Sequence, residues 1–169
     1  MRIQVLILSL FAMLWGVAAL VVDGTTGALL AAPVAVTAII SAAGWKILPP
    51  AHLAATESKR IRLLVRRWSI VEGILIVGAV TVLQHLHATD LIAAAIAIIV
   101  GLHFLPLARG IPERLYYATA IALVATGGIA PVLATGHLRL VLPLAGGAII
   151  LWLSAVGVIL WPSKPSTSN

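Results

Sequence analysis

The chain has no cysteine. That excludes disulfides, thiolate chemistry and cysteine-ligated metal, and it says nothing about compartment. Charge is scarce too. Charged residues make up 9% of the 169 residues, against about 25% in soluble domains. Familiar intramembrane chemistry is also missing: there is no DHHC-type cysteine, no His-Glu-x-x-His zinc motif, no paired intramembrane aspartates and no convincing serine–histidine pair. An enzyme is therefore not expected, and no cofactor is implied.

What is present is apolar surface. Hydrophobic residues reach 62% without counting glycine, where a soluble domain has about 45–50% with glycine included. No soluble core of this size hides that much; a bilayer does. A spanning helix needs about 20 mostly apolar residues, and the chain offers such runs at 3–22, 27–45, 68–86, 91–108, 115–134 and 140–161. Gly, Pro and charge punctuate each gap. The runs are too long for barrel strands and do not alternate as those do. The expected fold is thus all-α, a single domain over 1–161 of six transmembrane helices built as three hairpins, with 162–169 a short disordered tail. The first run exceeds the roughly 7–15 residues of a signal-peptide core, so it reads as an uncleaved anchor.

Charge orients the bundle. With the N-terminus inside, Arg2, Lys46, Lys59, Arg60, Arg62, Arg66, Arg67, Arg109, Arg114 and Lys164 all lie inside, and Arg139 alone of the 11 Lys+Arg lies outside. The positive-inside rule then places both termini in the cytoplasm of a cell bounded by an inner (plasma) membrane. The net charge of +6 serves this topology, not nucleic-acid binding. Trp45, Tyr116, Tyr117 and Trp161 fall at the same boundary, as an interfacial belt should. Trp15 and Trp152 fall mid-span, where helix packing is the expected role.

The longest loop, 46–67, ends in a stretch that reads as a helix. Ile61, Leu64, Val65 and Trp68 form an apolar stripe, with Lys59, Arg60, Arg66 and Arg67 around it. Such a segment either lies in the headgroup layer and binds anionic lipid or continues the third span as a topology anchor. On the opposite side, His85, His87, Asp90 and His137 are residue types that suit zinc, copper or nickel, but short loops often hold them without metal, and no metal site is assigned.

Within the spans, ionisable groups are few. Glu72 lies one turn above Trp68, and His103 under two turns from Arg109. Ionisable residues at such depth are costly and are functional candidates by default. Pro106 removes the amide that would bond the Leu102 carbonyl, leaving a free acceptor near the imidazole. In an antiparallel hairpin, Glu72 and His103 sit at equal depth, because the point midway between them falls in the turn at 85–90. Helix rotation decides whether they face each other. Gly127-Gly128 before Pro131 and Gly146-Gly147 after Pro143 mark two helices expected to be irregular. Pairs of small residues four apart, such as Ala93-Ala97 and Ala130-Ala134, allow close helix approach, though no strict Gly-x-x-x-Gly is present.

The stretch Gly101-Leu102-His103-Phe104-Leu105-Pro106-Leu107-Ala108, followed by Tyr116-Tyr117-Ala118-Thr119, resembles a pattern in small uncharacterised bacterial membrane proteins, where the second part ends in glycine. Here Ala120 takes that place. The resemblance implies no activity and singles out His103 and Pro106. Two functions are in view. One is a transporter, channel or permeability protein for a small solute, proton or ion, with Glu72, His103 and Pro106 as its polar site. The other is a non-transporting scaffold or regulatory subunit acting through the basic loop. Expected partners are the bilayer, anionic lipids, and a homo-oligomer or other membrane protein.

Overall fold

The computed structural model describes residues 1–49, 55–110 and 114–161, with backbone alone for 55–58. The expected tail at 162–169, with Lys164, and residues 50–54 and 111–113 lie outside the described residues. The described chain forms α1 (Arg2–Val22), α2 (Ala32–Ile47), α3 (Ala55–His85), α4 (Ile92–Gly110), α5 (Leu115–Leu133) and α6 (Leu138–Leu160), with 3₁₀ turns at Gly27–Ala31 and Thr89–Leu91. Five helical segments are long and apolar enough to cross a membrane: Arg2–Val22, Gly27–Ile47, Thr89–Gly110, Leu115–Leu133 and Leu138–Leu160.

The helix ends follow from local chemistry. At the end of α1, Thr25 N–H donates to Leu20 O and Gly24 N–H to Val21 O. This pair of bonds needs a left-handed residue just past the helix, and Gly24 supplies it with φ +81°. α3 ends in the same way, with Ala88 N–H on Leu83 O and His87 N–H on Gln84 O. There the left-handed residue is His87, at φ 56°. Pro33 sits in the first turn of α2, where its missing N–H has no helical partner to lose.

The chain path is three hairpins, but its closest packing is between hairpins: α4 on α5, and α1 on α6. α6 is the hub, touching α1, α2, α4 and α5. Its contact with α1 is reciprocal. A side chain at Gly147 would collide with the Trp15 ring, and one at Gly16 would meet Trp152 at 3.1 Å. The two mid-span tryptophans are therefore packing residues that fill the space two glycines leave.

Gly127-Gly128 and Gly146-Gly147 do not break their helices: α5 and α6 run through them, and α4 runs through Pro106 to Gly110. Gly127, Gly146 and Gly147 are instead points of close approach to α4, Thr126 and Trp15. Both small-residue pairs, Ala93-Ala97 and Ala130-Ala134, are buried.

α3 is peripheral. It packs on α4 and the Thr89–Leu91 turn. It is also far longer than the third apolar run, because the basic segment continues the same helix for 31 residues in all. The apolar stripe turns inward: Leu64 and Val65 pack against the core, and Leu64 lies against Gly110, the last residue of α4. The segment thus continues the third apolar run as one helix.

Candidate functional site

Glu72 and His103 face each other across the α3–α4 contact. His103 Nδ1 lies 3.6 Å from Glu72 Oε2, with the side chains 10% and 16% exposed. The inward stripe of α3 sets this rotation, because Glu72 continues the line of Leu64, Val65 and Trp68 at helical spacing. The separation is slightly longer than a hydrogen bond, and Nδ1 is buried without a hydrogen-bond partner among the described residues. The backbone of Trp68 also interacts with the imidazole. His103 also meets the Phe104 ring edge-on, and Phe104 meets Tyr116 at 5.5 Å between centroids. In surroundings of low dielectric, an imidazole and a carboxylate at this distance interact far more strongly than in water. A proton on either one is felt by the other.

Leu102, whose carbonyl Pro106 deprives of a helical donor, is half exposed. It lines a shallow apolar groove of about 330 Å³ with Leu105, Ala120, Ile121, Val124 and Ala125. That groove faces α5, so the structure does not bring the Leu102 side of α4 to Glu72. A second groove, along Ala125, Ile129, Leu133 and Leu142, is also away from the pair.

The remaining candidates are placed as follows. Lys59, Arg60, Arg66 and Arg67 are exposed on α3. Asp90 pairs with Arg139 at 2.9 Å, and His137 with Asp23 at 3.3 Å. Asp90 and His137 are thus engaged in separate contacts, and His85 and His87 are exposed. No cluster of three potential metal ligands occurs among the described residues. These two contacts tie all three hairpin turns together at the end away from Arg2. Arg139 also donates to Ala134 O at 3.0 Å.

Several polar contacts escape a reading of ionisable residues. Trp152 Nε1–H donates to Thr37 Oγ1 at 3.0 Å, and Thr37 donates to Ser9 O at 2.9 Å, so α6, α2 and α1 are linked in one chain. Thr119 and Ser154 hydroxyls lie 2.7 Å apart between α5 and α6. At the basic end, Arg2 Nε–H donates to Leu48 O at 2.6 Å while its guanidinium sits 5.3 Å from the Trp45 ring centre. The signal for the Trp152, Thr37, Thr119 and Ser154 contacts is the presence of Ser, Thr and Trp inside apolar runs, since such groups seek partners across helices.

No protein family, curated protein or solved structure matches this chain.

Proposed function

We propose that this chain is a small multi-pass protein of the inner (plasma) membrane that crosses the bilayer six times, with both termini cytoplasmic, and that it conducts a proton or small cation through the Glu72–His103 pair. The observation that carries the reading is the 3.6 Å contact between two ionisable, largely buried side chains at the α3–α4 contact. Such groups are costly in a membrane and mark ion pathways. Five apolar helices support the membrane assignment. The apolar second half of α3 supplies the sixth crossing, and ten basic residues against one supply the orientation.

The test is flux. Purified protein in liposomes should dissipate an imposed pH gradient faster than protein-free liposomes, and equal rates would count against conduction. One observation favours the second reading, a scaffold or regulatory subunit: both grooves are apolar and miss the pair. Absence of flux, with the fold intact, selects that reading.

Orientation has its own test. Thr26, Thr89 and Thr135 are exposed in the three turns at one end. They serve better than Gly24 or Gly136, whose left-handed φ of +81° and +58° strains any side chain. Cysteine at each of the three should react with an impermeant thiol reagent in intact cells, while cysteine at Ser58 should not. A labelled Ser58 inverts the topology.

A further inference from the structure

We infer that the basic end of α3 stands out of the bilayer, and that Arg62, Arg66 and Arg67 on its outward side hold the phosphate of an anionic phospholipid. The inference rests on the membrane reading above but not on conduction.

Length comes first. At 1.5 Å per residue the 31 residues of α3 span about 46 Å, whereas the hydrocarbon core is about 30 Å thick. α4, with 19 residues, reaches about 28 Å, which fits the core. The contact of Leu64 with Gly110 shows where α4 stops along α3. Residues 55–63 therefore project about 14 Å beyond it.

Rotation comes next. Leu64 and Val65 face the core, with Trp68 and Glu72 on the same side. Successive residues turn by about 100°, so Lys59, Leu63, Arg66 and Ile70 lie on the opposite side, with Arg62 and Arg67 flanking. All six are exposed. Among the described residues, no carboxylate pairs with any of these cations, since the ion pairs engage Glu72, Asp23 and Asp90.

Depth then separates the cations. Arg62, Arg66 and Arg67 lie within a turn of the level of Gly110, where the hydrocarbon gives way to phosphates. Lys59 stands about 10 Å further out than Arg66. Arg62 and Arg66 are one turn apart, and like charges so placed repel. An anion between them removes the repulsion and accepts two-pronged hydrogen bonds from planar guanidinium groups.

The source of the phosphate is a lipid, because the same side of α3 continues downward as exposed Ile70, Ile74 and Val77. That apolar track receives an acyl chain, which a free phosphate lacks.

The experiment uses the full chain in nanodiscs of phosphatidylcholine and phosphatidylglycerol, with mass spectrometry reading the lipid retained on the released protein. Stable incorporation tests the membrane reading; the lipid ratio tests this one. Phosphatidylglycerol should be enriched. Glutamine at Arg62, Arg66 and Arg67 should lower that preference by about fivefold per charge, the equivalent of about 1 kcal/mol each. Glutamine at Lys59 and Arg60 should leave most of it. Equal retention of both lipids overturns the site, as does an equal effect of the Lys59 and Arg60 changes. Displacement of the lipid by inorganic phosphate overturns the lipid assignment.

Discussion

Glu72→Gln is expected to reduce proton flux through reconstituted protein to the rate of protein-free liposomes while leaving the chain folded. Glutamine keeps the length and shape of glutamate and can still approach His103, but it binds no proton and carries no charge. In low dielectric the interaction at 3.6 Å is mostly electrostatic, so neutralising one partner removes the feature that makes the pair responsive. Glu72→Asp retains the carboxyl group and withdraws it by one methylene from His103, and an intermediate rate is expected. His103→Gln removes the second proton-binding group and should also lower the rate. If the pair is only structural, Glu72→Gln lowers the unfolding temperature and leaves flux unchanged, and the conduction reading fails.

Valine at Gly127 should cost about 3 kcal/mol or more, at the upper end of what overpacking does, while valine at the neighbouring Gly128 should change stability by less than about 0.5 kcal/mol. A Cβ at 127 would lie 2.6 Å from the Ala94 carbonyl oxygen and 2.8 Å from Ile98 Cγ1. The carbonyl belongs to the backbone of α4, so only displacement of the helix relieves the clash. The interface is close at a second point, where Gly101 of α4 leaves 2.9 Å to the Ala120 carbonyl of α5. Separating the helices also disturbs the Phe104–Tyr116 contact beside His103. Position 128 has nothing within 4 Å and is exposed. Unfolding in detergent, followed by circular dichroism, compares the two variants. Equal losses would show that α4 and α5 do not approach as described.

The Glu72–His103 site illustrates how far residues alone reach. Their equal depth follows from the rise of an α-helix and the position of the turn, both legible in the chain. Their facing does not, because a rotation of one residue, about 100°, turns either side chain away. The rotation comes from Leu64 and Val65, which pack inward and carry Glu72 with them. The same packing sets Leu64 and Val65 of the basic segment against the core, with Leu64 on Gly110 at the end of α4, and leaves Lys59, Arg60, Arg66 and Arg67 exposed. Pro106 and the Leu102 carbonyl show the opposite case. The loss of a helical donor is certain from proline chemistry, but the Leu102 residue itself lines the groove between α4 and α5, away from the pair.

Order and apolar character of the helices were determined by the sequence itself, as were the basic end and the matched depth of Glu72 and His103. Hydropathy, charge asymmetry and helical rise need no knowledge of neighbours. Only the tertiary structure decided that α6 is the hub, that α1 closes on α6 through Trp15 and Trp152, that α3 stays peripheral, and that Asp90 and His137 are held in separate contacts. The reason is physical. In a soluble protein, polar and apolar faces distinguish outside from inside. In this chain large apolar side chains line the surface as well as the core, so the helices are told apart by shape, where a glycine on one helix admits a ring or a backbone from the next. That complementarity exists only between helices already brought together.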